Sequence, residues 1–77
     1  MPNRYQFFTI FTQLPNGTLT PKVIVNINGV VIGPGVSIGP GVSMGGVDIF
    51  RLMGRDLAMV FENGVYFLRG YYGPPIT

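Results

Sequence analysis

Three Asn-Gly dipeptides, Asn16-Gly17, Asn28-Gly29 and Asn63-Gly64, cut this chain into short apolar stretches. Asn and Gly both tolerate the positive φ that a tight hairpin turn demands. Such a pair between apolar runs is the strongest short-range hairpin signal. Each of the three is flanked by β-branched, aromatic or other apolar residues. The expectation is a small all-β fold, an antiparallel sheet or barrel built from hairpins, with residues 1–77 forming one domain.

The third turn sets the clearest hairpin, Leu57 to Leu68. It places Phe61 against Tyr66 and Met59 against Leu68 on one face, and Val60 against Phe67 on the other. The second pairs Ile27 with Val30 and Val25 with Ile32. The first joins "RYQFFTIFTQL" to "TLTPKVIVNI" through Pro15-Asn16-Gly17, where Pro15 presets one turn dihedral and Gly17 relaxes the exit. Read as one strand, the opening segment carries Tyr5, Phe7 and Phe11 on one face and Phe8, Ile10 and Leu14 on the other. A strand apolar on both faces is covered on both sides. In so short a chain the second cover is expected from another subunit. Pro21 lacks an N–H and marks an edge or a bulge in the returning strand.

Between the second and third hairpins the chain nearly repeats itself. Ile32-Gly33-Pro34-Gly35-Val36-Ser37 is followed by Ile38-Gly39-Pro40-Gly41-Val42-Ser43, and then by Met44-Gly45-Gly46-Val47-Asp48-Ile49. Pro at the second turn position and Gly at the third is the type II signature. Gly35 and Gly41 are therefore expected at positive φ, with Ile32, Ile38 and Met44 pointing to one common side. This stretch resembles the hexapeptide-repeat family, the left-handed parallel β-helix of many acyltransferases. The aliphatic-Gly pairs Ile32-Gly33, Ile38-Gly39 and Met44-Gly45, with Val36, Val42 and Val47, carry the resemblance over about a quarter of the chain. The resemblance implies an inward-facing aliphatic residue, outward corners, and one triangular coil that needs stacked neighbours to bury its faces. The other reading is a Gly/Pro-rich loop inside a small barrel. The family's activity is not implied, because those enzymes use a catalytic His and this chain has none.

Asp48 is placed to cap a short helical turn with Ile49, Leu52 and Met53 on one face and Gly54 ending it. The same letters also alternate well enough for a strand. Pro74 and Pro75 make the C-terminal stretch an extended tail.

A chain of 77 residues has a marginal core, and small domains commonly lean on disulfides, a metal or partner subunits. With neither Cys nor His, the disulfide and the Cys/His zinc site drop out and oligomerisation is left. Charged residues make up 10% of the chain, where an ordinary soluble domain has about a quarter. So few charges leave apolar surface exposed, which favours self-association. The net charge of +2 is scattered, so no phosphate-neutralising patch and no nucleic-acid binding is expected. No signal peptide is visible, so the cytoplasm is the default compartment and an extracellular filament stays open. No apolar run reaches the roughly 20 residues of a membrane span.

Catalytic chemistry has little to work with. Asp48 near Arg51 and Asp56 beside Arg55 read as ion pairs or caps. Ser37 and Ser43 have no base beside them, and the Gly-rich stretch fits no phosphate-binding loop. The chain is read as a non-enzyme with no cofactor, metal or small-molecule site. The expected function is a structural subunit that assembles with copies of itself into a filament, tube or other large homo-oligomer. The candidate self-association residues are Tyr5, Phe7, Phe8, Ile10, Phe11, Ile32, Ile38 and Met44. The alternative is a small β-barrel binding module that holds a peptide or nucleic acid on surface aromatics such as Tyr66, Phe67, Tyr71 and Tyr72.

Overall fold

The turns do set the architecture. The computed structural model describes residues 2–73, and the expected tail at Pro74-Pro75 lies outside them. The chain runs β1 (Asn3–Gln6), a helical turn α1 (Phe7–Ile10), β2 (Phe11–Gln13), β3 (Leu19–Pro21), β4 (Val25–Ile27) and β5 (Val30–Ile32). It continues through β6 (Ser43–Met44), β7 (Val47–Asp48), a 3-10 turn (Ile49–Leu52), β8 (Asp56–Glu62) and β9 (Val65–Tyr71). It is a small all-β fold.

Asn63-Gly64 closes the β8–β9 hairpin, with Glu62 facing Val65 and φ values of 53° and 79° at the two turn residues. Asn28-Gly29 closes β4–β5 in the same way, with φ of 51° and 95°. Both central residues lie at positive φ, as a type I′ turn requires. The cross-strand pairs Phe61–Tyr66, Met59–Leu68, Val60–Phe67, Ile27–Val30 and Val25–Ile32 all form. The third hairpin extends past Leu68 to Tyr71, with a bulge where Ala58 faces Gly70 but Met59 faces Leu68. The Asn16-Gly17 turn is wider: Gly17 N–H donates to Leu14 O and Leu14 N–H to Thr18 O, each at 2.8 Å.

The opening segment departs from the single strand expected of it. After Gln6 the backbone winds one turn, and Phe11 N–H closes it on Phe7 O. Phe7, Ile10 and Phe11 are spaced i, i+3, i+4, so one turn carries all three to the same side, where each is buried. Lys22 fastens that turn from outside. Its backbone N–H donates to Ile10 O at 2.7 Å and its Nζ to Phe8 O at 2.8 Å. Winding thus brings Phe7 and Phe11 from one expected face and Ile10 from the other into the subunit's own core, and leaves Phe8 outside it. Pro21 ends β3 opposite Phe11, in a two-stranded ribbon with β2.

Five strands form the main sheet, in the order β1-β8-β9-β4-β5. All its pairings are antiparallel except β4–β9. The register puts Phe61, Tyr66, Val25 and Ile32 in one row across four strands, and Val60, Phe67, Asn26 and Val31 in the row behind it. The first face carries the core. Leu57, Met59, Val25, Ile27 and Ile32 meet Phe7, Ile10, Phe11, Leu19, Ile38, Ile49 and Leu52 in one buried cluster.

The repeat makes its two corners. Gly35 and Gly41 sit at φ 98° and 82°, and the turns close through Val36 N–H to Gly33 O at 3.1 Å and Val42 N–H to Gly39 O at 3.3 Å. Ile32 and Ile38 are buried and Met44 packs against the same core. Their backbones go to three separate antiparallel partners. Ile32 pairs with Val25, Ile38 bridges Leu19, and Met44 pairs with Val47. In the third unit Gly45-Gly46, at φ 57° and 81°, forms a two-residue hairpin turn instead of a corner. Asp48 caps the 3-10 turn by accepting from Phe50 N–H at 3.1 Å. Ile49 and Leu52 are buried beneath it, and Gly54 follows at φ 84°.

Candidate self-association surface

The core leaves few of the eight sequence-derived candidates at the surface. Phe7, Ile10, Phe11, Ile32 and Ile38 are between 0% and 6% exposed, inside the subunit's own core. Phe7 and Phe11 stack with ring centroids 5.0 Å apart. Tyr5 is half-buried and meets Tyr66 edge to face at 5.6 Å. Met44 is half-buried against the core. Phe8 alone stands out, 47% exposed, on the outer side of the helical turn with its ring edge-on to Phe7. The reason is the winding at Phe7–Ile10, which alternation along a strand does not anticipate.

The apolar surface lies elsewhere. Val31 is 59% exposed and Val30 38% exposed on β5, an outermost strand of the main sheet. Ile24, Val42, Phe61 and Tyr71 are exposed as well. On β5 the backbone is as open as the side chains. Ile27 and Val30 flank a two-residue turn, so they exchange both hydrogen bonds, and the next pair, Asn26 and Val31, exchange none. The N–H and C=O of Val31 therefore point away from the sheet. No described strand lies beyond β5 or beyond β1. Edge strands are normally blunted by short length, Lys, Pro or a bulge, and of these β5 has only its short length. β5 carries Val30, Val31 and Ile32, and nothing else.

Strand direction adds a constraint. β1 is antiparallel to β8, β8 to β9, β9 is parallel to β4, and β4 is antiparallel to β5. The two outer strands of the sheet consequently run in opposite directions.

Four of the charged side chains form ion pairs within the chain. Arg4 Nε pairs with Asp56 Oδ2 at 2.6 Å, and its guanidinium lies 4.1 Å from the centre of the Tyr72 ring. Asp56 thus takes a partner 52 residues away, not its neighbour Arg55, which lies over Tyr71. Asp48 combines its capping bond with a contact to Arg51 at 3.9 Å. These last two residues line an open depression of about 380 Å³ with Ser43, Leu52 and Tyr71. Among the described residues no three His, Cys, Asp or Glu side chains gather, and no helix is long and apolar enough to cross a membrane.

The sequence does not mark β5 as outermost, because β4 is equally short, three residues, and is paired on both sides. No protein-family model, curated protein or solved structure matches this chain.

Proposed function

We propose that this chain is a structural subunit that joins copies of itself head to tail through the open edges of its five-stranded sheet. The observation that carries the reading is the uncharged apolar edge of β5 together with the opposite run of β1. A second copy in the same orientation sets its β1 against this β5 in antiparallel register, the stronger of the two pairings per residue. The end of β1 that leads into Phe8 then meets the Val30 end of β5, so the exposed ring covers exposed valine. The interface is heterologous. Each copy uses one edge and leaves the other open, which extends a filament unless rotation closes a ring. The low charge content suits this use, since nothing on β5 repels an incoming strand.

Val31→Pro is the test. Its ring removes the outward N–H without touching a bond between β4 and β5, so the subunit should fold and melt like the wild type. Sedimentation and electron microscopy should show large particles for the wild type and monomers for the variant. Particles of normal length from Val31→Pro, or a wild type that stays monomeric at high concentration, would overturn the reading.

The second reading is a binding module that presents rings to a peptide. It rests on Phe61 and Tyr71, 54% and 57% exposed, with Phe61 packed 4.6 Å from Tyr66. A monomeric wild type with peptide affinity lost in Phe61→Ala would favour it.

A further inference from the structure

The three Asn-Gly pairs share a sequence but not a hydrogen-bonding state. At Asn28 the side-chain Nδ2 donates to Gly45 O at 2.8 Å, and the following Gly29 N–H donates to Asn26 Oδ1 at 2.8 Å. At Asn16 the side-chain oxygen accepts from Thr18 N–H at 3.1 Å and from the Thr18 hydroxyl at 2.7 Å, while Gly17 N–H donates to Leu14 O. At Asn63 neither group is held. Among the described residues the exposed Asn63 side chain has no hydrogen-bond partner, and Gly64 N–H donates to none.

We infer that Asn63 is a site of spontaneous deamidation, and that Asn16 and Asn28 are protected copies of the same motif. The backbone nitrogen of Gly64 attacks Cγ of Asn63, a C–N bond forms, and the side-chain amide leaves as ammonia. The resulting succinimide is opened by water at one or other of its C–N bonds, which yields aspartate or isoaspartate. One water is consumed and one ammonia released, and no other reactant is needed. The glycine is decisive, because no side chain hinders its nitrogen. A Cβ built at Gly64 finds no heavy atom within 4 Å, so the turn is open to solvent on that side.

The comparison between Asn63 and Asn28 is closely controlled. Both occupy the first position of a two-residue turn, at φ 53° and 51°, and each is followed by a glycine at positive φ. They differ in the bonds that hold the leaving amide and the attacking nitrogen. Two bonds of ordinary net strength at Asn28 slow its conversion by a factor of about 30. Conversion at Asn63 adds a negative charge beside Glu62. The isoaspartyl product also inserts a methylene into a two-residue loop at the tip of β8–β9, the hairpin at the middle of the main sheet.

The experiment is to hold the native chain in mildly alkaline buffer at physiological temperature and quantify acid at each of the three asparagines by peptide mapping. A sample kept unfolded in urea is the reference. In urea the three sites should convert at similar rates, since each is an asparagine followed by glycine, whose nitrogen no side chain hinders. In the native chain Asn63 should convert at least about tenfold faster than Asn28, as the bond count requires. Asn26→Ala, which frees Gly29 N–H, should raise the rate at Asn28 and leave Asn63 unchanged. Native conversion at Asn28 or Asn16 as fast as at Asn63 would overturn the inference. So would an Asn63 that stays intact in the native chain while it converts in urea.

Discussion

Gly45 sits where the β6–β7 hairpin meets the turn of β4–β5, and a single methyl group there tests how tightly the two are joined. A Cβ built on Gly45 would lie 2.1 Å from Ile27 O and 2.9 Å from Ile27 C. Those are backbone atoms at the end of β4, which is paired on both sides, so no side chain can swing aside. The residue also holds φ 57°, a conformation that costs an L-residue about 1–2 kcal/mol. Relieving the overlap means moving one hairpin away from the other, which costs about 1–3 kcal/mol of packing around Met44 and Val47. It also stretches the Asn28 Nδ2 to Gly45 O bond, worth about 1 kcal/mol. Gly45→Ala should therefore lose about 3–6 kcal/mol, as much as a core this small provides. Gly46 is the control. It has φ 81° and open space where a methyl group would sit, so Gly46→Ala carries the backbone cost alone, about 1–2 kcal/mol. Thermal unfolding followed by circular dichroism separates the two. Gly46→Ala should lower Tm by roughly 5–15 °C and still fold, and Gly45→Ala should fall by well over twice that or not fold at all. Two variants melting within a few degrees of each other would refute the close approach at Ile27.

Two further outcomes follow from burial. Thr20 Oγ1 is buried without a partner, so Thr20→Val keeps the shape, removes the orphan hydroxyl and should raise stability by about 1 kcal/mol in urea denaturation; a loss would show that the hydroxyl is bonded in solution. Phe11→Lys should unfold the chain by burying an unpaired charge, while Phe8→Lys, three residues back on the exposed side of the same turn, should fold normally by circular dichroism.

Local chemistry was legible in the sequence and strand order was not. Asn28-Gly29 and Asn63-Gly64 fix their hairpins because the turn geometry depends on two adjacent residues and the register follows from it. Pro34-Gly35 and Pro40-Gly41 fix their corners for the same reason, and Asp48 its cap. Phe7–Ile10 shows the limit. The letters Phe-Phe-Thr-Ile-Phe suit a period of two as well as one of three to four, and the residue that fastens the helical turn, Lys22, lies far along the chain. Gly45-Gly46 shows another limit. Read in the sixfold frame it is a third corner, yet two adjacent glycines at positive φ also make a hairpin, and pairing of Met44 with Val47 selects that. The parallel contact of β4 with β9 joins residues some forty apart, and no short motif announces it. The candidate surface depends on knowing which strands lie outermost, so its place became visible only with the sheet assembled.

The same point explains why the self-association reading moves from strand faces to strand edges. A face works as an interface when its side chains have no cover at home, and here Phe7, Ile10 and Phe11 of the opening segment are covered while Phe8 is not. What the fold leaves open is backbone. Short length is itself a way to blunt an edge, and β5 offers three residues, so pairing alone gives a weak joint. Strength must come from side chains beside the ladder, and the geometry supplies a pair: Phe8, just past the end of one outer strand, and Val30, at the matching end of the other. That pairing exists only when the copies share one orientation. An inverted neighbour that sets β5 against β5 brings valine to valine and leaves both Phe8 rings in water. In the proposed assembly these apolar contacts would favour the head-to-tail joint over the closed pair, which is the choice between a polymer and a dimer.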